Sequence, residues 1–257
     1  MATLVHYTVE GSVARLTLDS PDNRNALSTA LVNQLHQGLT DATEESGVRA
    51  VVLDHSGGTF CAGADLAEAA GRGGKPGEVA VDRARELTHL LRRILKLPVP
   101  VIAAVDGHVR AGGLGLIGAC DIAVAGPAST FALTEARIGV APSIISLTLL
   151  PKMTARAASR YFLTGEKFGP AEAADIGLIT IAADDVLATV ALLTAAIGKA
   201  SPQGLAASKA LTTSDILAAF ERRADELTEE SARLFVSEEA REGMMAFLQK
   251  RPPSWAD

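Results

Sequence analysis

The stretch VPVIAAVDGHVRAGGLGLIGACDIAVA, Val99 to Ala125, decides how this chain folds. Its first seven residues are a continuous apolar, β-branched run, the pattern of a strand buried on both faces, and Ile122 to Ala125 repeats that pattern in shorter form. Between them lie a glycine-rich turn and room for one short helix, from about Gly112 to Ala119. Strand, turn, helix and strand in this order signal a parallel-sheet α/β architecture.

Gly107, Gly112, Gly113, Gly115 and Gly118 crowd the turn. Glycines this dense let the backbone approach a ligand and present N–H groups at a helix start, where the dipole favours negative charge. Gly113, Gly115 and Gly118 have the G-x-G-x-x-G spacing of a dinucleotide site. A βαβ dinucleotide unit needs roughly 30 residues, however, and the helix here must end by Ala119. The second reading is an oxyanion hole, in which backbone amides stabilise an enolate or tetrahedral oxygen. The third is close packing of helix on strand, with no ligand.

Upstream, AVVLDHSGGTFCAGADL contains another buried strand (Ala50 to Asp54), a loop with Gly57 and Gly58, and a second bend from Phe60 to Leu66. FCAGADL and AVDGHVRAGG, at this separation, resemble the F-x-A-G-A-D-L/I and A-V-x-G-x-x-x-G-G-G segments of the crotonase, or enoyl-CoA hydratase/isomerase, family, and the resemblance covers essentially the whole chain. It implies an α/β fold, a crotonase-type spiral of ββα turns. Residues 1–198 would form the spiral core that binds coenzyme A and carries catalysis. Residues 199–257 would form a C-terminal helical trimerisation region, giving a homotrimer or dimer of trimers.

Carried over residue by residue, the resemblance makes Ala64 and Gly112 the two oxyanion amides. It places Arg24 near the coenzyme A phosphates, with Ala26, Ala62, Asp65 and Leu66 along the same ligand. Phe247 and Lys250, in the last helix, would reach a neighbour's coenzyme A. The thioester is then the substrate of a lyase of fatty acid metabolism, and no separate cofactor is expected.

Family hydratases use two glutamates that hold one water. Glu135, in LTEARIG, matches the second; Gly115 stands at the position of the first. The resemblance therefore leaves three functions: an enoyl-CoA hydratase acting across the 2,3 double bond, a Δ3-Δ2 isomerase working with one glutamate, and a non-catalytic acyl-CoA binding paralogue. Branches resembling methylglutaconyl-CoA hydratases share the G-G-x-G-L pattern. APSIIS replaces the family's commoner P-G-x-G-G, so Ser143 and Ile144 would reshape the acyl pocket. Glu135 reads as an acid/base or as half of a buried ion pair with Arg137. His108 and Arg110 precede the oxyanion glycine; facing the pocket, either could pair with an acyl carboxylate or orient water, and facing away they are ordinary structural residues. Asp65 and Asp121 read as turn and cap residues.

Composition sets the outer bounds. The chain has 257 residues, 48% of them hydrophobic, enough for a sizeable core. A net charge of -6 argues against nucleic acid or an anionic membrane as partner. Cys61 and Cys120 lie in apolar motifs and read as buried free thiols; five scattered histidines show no metal-ligand spacing. The start lacks signal-peptide features and no long apolar window occurs, so a cytoplasmic location is expected. Elsewhere the pattern predicts a hairpin around Gly11-Ser12, a helix capped by Ser28, a helix over Val81 to Lys96, a soft loop from Ala67 to Pro76, a turn at YFLTGEKFG, and helices alone from Val186 onward with a break at Ser201-Pro202.

Overall fold

The computed structural model describes residues 2–65, 68 and 75–256; Leu66 and most of the soft loop lie outside the described residues. Strands β1 (Val5–Glu10) and β2 (Val13–Leu18) form the expected antiparallel hairpin, turned at Gly11 with φ +61°. Ser28 then caps α1 (Thr29–Glu44), its hydroxyl accepting from the Leu31 amide at 3.2 Å, and Leu31, Leu35 and Leu39 are buried.

From there each pass of the chain contributes to two sheets. β3 (Ala50–His55) enters the large sheet, β4 (Thr59–Cys61) the small one, and α2 (Pro76–Lys96) follows. The deciding stretch makes the same pass: β5 (Val101–Val105), β6 (His108–Arg110) and α3 (Gly112–Ala119). β7 (Ile122–Ala125) and β8 (Thr130–Ala132) begin a third, and β9 (Ile181–Ala182) closes the edge. The large sheet runs β1-β2-β3-β5-β7-β9, parallel after the hairpin; the small sheet runs β4-β6-β8, all parallel. This is the spiral of ββα turns the sequence leads one to expect. The small sheet itself is not readable strand by strand, because three residues are too few to show alternation and their pairing is with distant segments.

Short helices follow: α4 (Ser146–Leu149), α5 (Ala155–Thr164), α6 (Pro170–Asp175) and α7 (Val186–Ile197). Tyr161 and Phe162 lie inside α5 rather than in a turn, because the Tyr161 ring packs 4.0 Å from that of Phe168 and holds the helix down. α2 starts at Pro76, earlier than the apolar stripe indicates, since proline fits the first helical position.

The break at Ser201 is a cap. Its hydroxyl accepts from the Gly204 amide at 3.1 Å and starts α8 (Pro202–Phe235), which packs along α2; α9 (Glu238–Leu248) turns back onto the core. One buried cation ties α8 to the sheet. Lys209 donates to the carbonyls of Ile94 (2.9 Å) and Val99 (3.0 Å) and pairs with Asp121 at 2.8 Å. Asp121 also accepts from the Val101 amide at 2.7 Å, so it holds the loop before β7 as its place in the sequence suggests. Cys61 and Cys120 are buried free thiols, pushed up to about 12 by burial. No single helix among the described residues is long and apolar enough to cross a membrane.

Candidate functional site

β4 and β6 are parallel neighbours, so the chain leaves both at the same end of the small sheet, and the bends that follow meet there. Gly63 has φ +93°, open to glycine at little cost. A β-carbon on it would lie 2.7 Å from the Ala111 β-carbon and 3.5 Å from the Gly112 nitrogen, so the two backbones touch. The first bend is fixed from outside by two hydrogen bonds, Leu27 N to Gly63 O at 2.7 Å and Ala62 N to Arg24 O at 3.1 Å. The second is turned by Ala111, at φ +46°, which caps α3 and sets the Gly112 amide at its first position. Neither the Ala64 nor the Gly112 amide has an acceptor among the described residues. Both residues line a cavity of about 420 Å³.

Glu135 stands on the wall of that cavity, at the start of the 3-10 turn Glu135–Ile138. α9 seats this turn from behind: a β-carbon on Gly243 would come within 2.5 Å of the Ile138 carbonyl carbon, an approach only glycine permits. The Glu135 side chain is buried and its Oε2 has no hydrogen-bond partner. Burial pushes its pKa up to about 7, against the pull of its own backbone amide. Arg137 lines the same cavity but is exposed and donates to the Thr164 carbonyl at 2.8 Å, and among the described residues no ion pair joins it to Glu135, so the ion-pair reading of Glu135 fails.

Gly115 is not on the wall. A β-carbon there would lie 2.5 Å from Ile145 Cγ2 and 3.1 Å from Ile145 Cβ, so the space beside it belongs to Ile145, which lines the cavity in its place. The three glycines with dinucleotide spacing therefore sit in an eight-residue helix packed against protein, and β7 follows at once. Ser143 and Ile144 are on the wall as expected, and so is Arg110. His108 is exposed and off the wall, with Nδ1 2.9 Å from Thr130 Oγ1, because alternation along β6 turns Val109 into the core instead.

The residues expected along coenzyme A separate into two groups. Ala62 and Phe247 line the cavity. Arg24 is exposed at φ +59°, Ala26 is buried behind the wall, and Lys250 is exposed at φ +54°. Asp65 accepts from Asn23 Nδ2 at 3.2 Å and from the Glu68 amide at 3.0 Å, which is turn and cap work. Phe247, on α9, lines the cavity of its own chain, because α9 packs back onto the Glu135–Ile138 turn.

Asn25 is the residue that sequence reasoning passed over. It is fully buried at φ +53°; its Oδ1 accepts from the Ser20 amide at 2.7 Å, and its Nδ2 donates to the Ser56 and Thr59 carbonyls at 3.2 and 2.8 Å. It staples the 20–28 segment to the approach to β4. Asparagine's tolerance of left-handed backbone was the available signal. Ile145, Arg83 and Arg251 also line the cavity with no sequence signal to single them out. Among the described residues no group of three or more His, Cys, Asp or Glu side chains could hold a metal.

A model of the family described as enoyl-CoA hydratase/isomerase matches residues 8–257. The crystal structure of an enoyl-CoA hydratase from Mycobacterium avium superposes with a TM-score of 0.93 at 64% identity, over all of both chains. One from Shewanella pealeana gives 0.76 at 33% identity, covering 98% of this chain and 96% of the other. A mevalonyl-coenzyme A hydratase of Aspergillus fumigatus is 30% identical over 268 residues, 99% of this chain and 98% of that protein.

Proposed function

The chain belongs to the enoyl-CoA hydratase/isomerase family, and from that premise we propose that it is a hydratase-like lyase in which Glu135 is the acid/base and the Ala64 and Gly112 amides hold the thioester oxygen. As water attacks C3 of a 2-enoyl thioester, Glu135 takes its proton and negative charge moves to the carbonyl oxygen. The two amides stabilise that enolate; an interaction of this kind is worth on the order of 10²–10³ in rate. Glu135 then returns the proton to C2, so one water is added and the carboxylate is regenerated. A pKa of about 7 suits it to both halves of the cycle near neutral pH. The observation that carries this reading is a buried carboxylate with one oxygen unpartnered, on the wall of a cavity that the Ala64 and Gly112 bends also line.

A second reading rests on Ile145 filling the place beside Gly115. With one carboxylate, moving a proton from C2 to C4 of a 3-enoyl thioester needs no held water, which is the isomerase reaction. The test is Glu135→Gln assayed with crotonyl-CoA and with a 3-enoyl-CoA. A fall of about 10²–10⁴-fold is expected in whichever reaction the native protein runs. Native-like turnover of both by the variant overturns the role given to Glu135. Assembly as a homotrimer or dimer of trimers belongs to the same reading, supported by the exposed Leu187, Leu192 and Leu211 on α7 and α8. Sedimentation as a monomer would remove it.

A further inference from the structure

Four arginines stand on the cavity wall: Arg83, Arg110, Arg137 and Arg251. Arg83 is paired with Glu68 and, at 3.4 Å, with Glu86. Arg251 grips both oxygens of Glu242 at 2.7 and 2.8 Å. Arg137 is exposed to water. Arg110 alone of the four is half-buried with only neutral oxygens around it: Nη1 donates to the Val109 and Thr130 carbonyls, both at 2.7 Å, and Nη2 to Thr130 Oγ1 at 2.9 Å. No carboxylate neutralises it among the described residues.

The donors left over are specific. A guanidinium has five N–H groups in a fixed plane. Three are consumed, leaving Nε–H and the second Nη2–H side by side on one edge, the spacing that accepts a carboxylate through two parallel bonds. Thr130 fixes the opposite edge, and its hydroxyl is also hydrogen-bonded to His108 Nδ1, 2.9 Å away. The fork is therefore oriented before any ligand arrives.

Position decides which anion it meets. Arg110 lines the cavity that Ala64, Gly112 and Glu135 also line, and its main chain adjoins the oxyanion bends, its carbonyl oxygen and the Gly112 nitrogen each 3.5 Å from a β-carbon placed on Gly63. The charges of coenzyme A lie beyond the whole neutral pantetheine arm, away from the thioester. A carboxylate next to the thioester belongs to the acyl group. We propose that Arg110 binds a second carboxylate on the acyl chain, so that the preferred substrates are coenzyme A monothioesters of dicarboxylic acids; this rests on the acyl-CoA reading above.

The test compares glutaryl-CoA with pentanoyl-CoA, saturated thioesters that differ in bearing a carboxylate or a methyl at C5, titrated calorimetrically into the full-length protein. The native protein should bind glutaryl-CoA about 10- to 100-fold more tightly. Arg110→Leu should equalise the two, and Arg110→Lys, which keeps the charge without the fork, should retain part of the preference. Equal affinities in the native protein, or an undiminished preference in Arg110→Leu, overturn the proposal. Should Arg110→Leu fail to fold by circular dichroism, the native preference and the Arg110→Lys value decide. Binding of neither thioester would instead defeat the acyl-CoA reading itself.

Discussion

Two buried charges in this molecule are treated in opposite ways. Lys209 has three ammonium protons and three acceptors, the Ile94 and Val99 carbonyls and Asp121. Glu135 lines a cavity and is equally withdrawn from water, yet its Oε2 has no partner. A satisfied buried charge fastens elements together; an unsatisfied one costs stability and is kept only where something enters to use it. The contrast separates scaffold from chemistry without reference to any relative.

The sharpest way to break the contrast is to neutralise each charge. Glu135→Gln should lower turnover by about 10²–10⁴-fold while leaving the fold at least as stable. Lys209→Met should do the reverse, costing about 3–5 kcal/mol of unfolding free energy because Asp121 is left without its partner. Any activity the folded fraction of Lys209→Met retains should be close to native. Denaturant unfolding beside a thioester assay reads both, and a Lys209 variant that stays stable but loses turnover would collapse the distinction.

Proton linkage sharpens it further. Glu135 in the fold titrates at about 7, above its ordinary 4.5, so the native state binds the proton more tightly than the unfolded chain. Its neutral form is accommodated below pH 4.5, and stability is lost as the pH rises from 4.5 through 7. Relative to Glu135→Gln, the native protein should lose roughly 3 kcal/mol across that window, at about 1.4 kcal/mol per pH unit, and no more above it. Parallel stability curves for the two proteins would mean that Glu135 is solvated in the fold.

The same division marks what the amino-acid sequence discloses. Val101–Val105 and Ile122–Ala125 announce themselves as buried strands because burial on both faces leaves an unbroken apolar run. Both bends are legible for the same reason that they work, since a backbone with φ near +93° at Gly63 demands a residue that sequence records as glycine. What Gly115 faces is not legible. The letter is shared by a glycine that exposes backbone to a ligand and one that makes room for Ile145, thirty residues on and in another element. Nor could Phe247 be assigned to its own cavity, because which core a C-terminal helix covers depends on how α8 turns back, not on local pattern.

Gly115 then provides a smaller test. Gly115→Ala drives a methyl toward Ile145 Cγ2, and overpacking of this kind costs about 1–3 kcal/mol. Ile145→Ala should cost less in the Gly115→Ala background than in the native protein, because the Cγ2 methyl that the new β-carbon meets is gone. If Gly115→Ala were neutral alone, the packing described for that helix would be looser than the contact requires, and the position would be open to a second carboxylate after all.

The smallest expected effect lies at Ala111, where scaffold and chemistry share one residue. An alanine at φ +46° holds a conformation that costs on the order of 1–3 kcal/mol, and it does so to set the Gly112 amide. Ala111→Gly removes that cost but adds roughly 0.5–1 kcal/mol of backbone freedom to the unfolded chain. The net should be a gain of about 1 kcal/mol, seen as a small rise in Tm, with kcat falling a few-fold as the bend loses the methyl that rests on Gly63. The two shifts have opposite signs because strain in the bend is what keeps the amide aimed. A variant that gained stability and lost no rate would place the aim of that amide in the rest of α3, outside the comparison between a fastened charge and an unpartnered one.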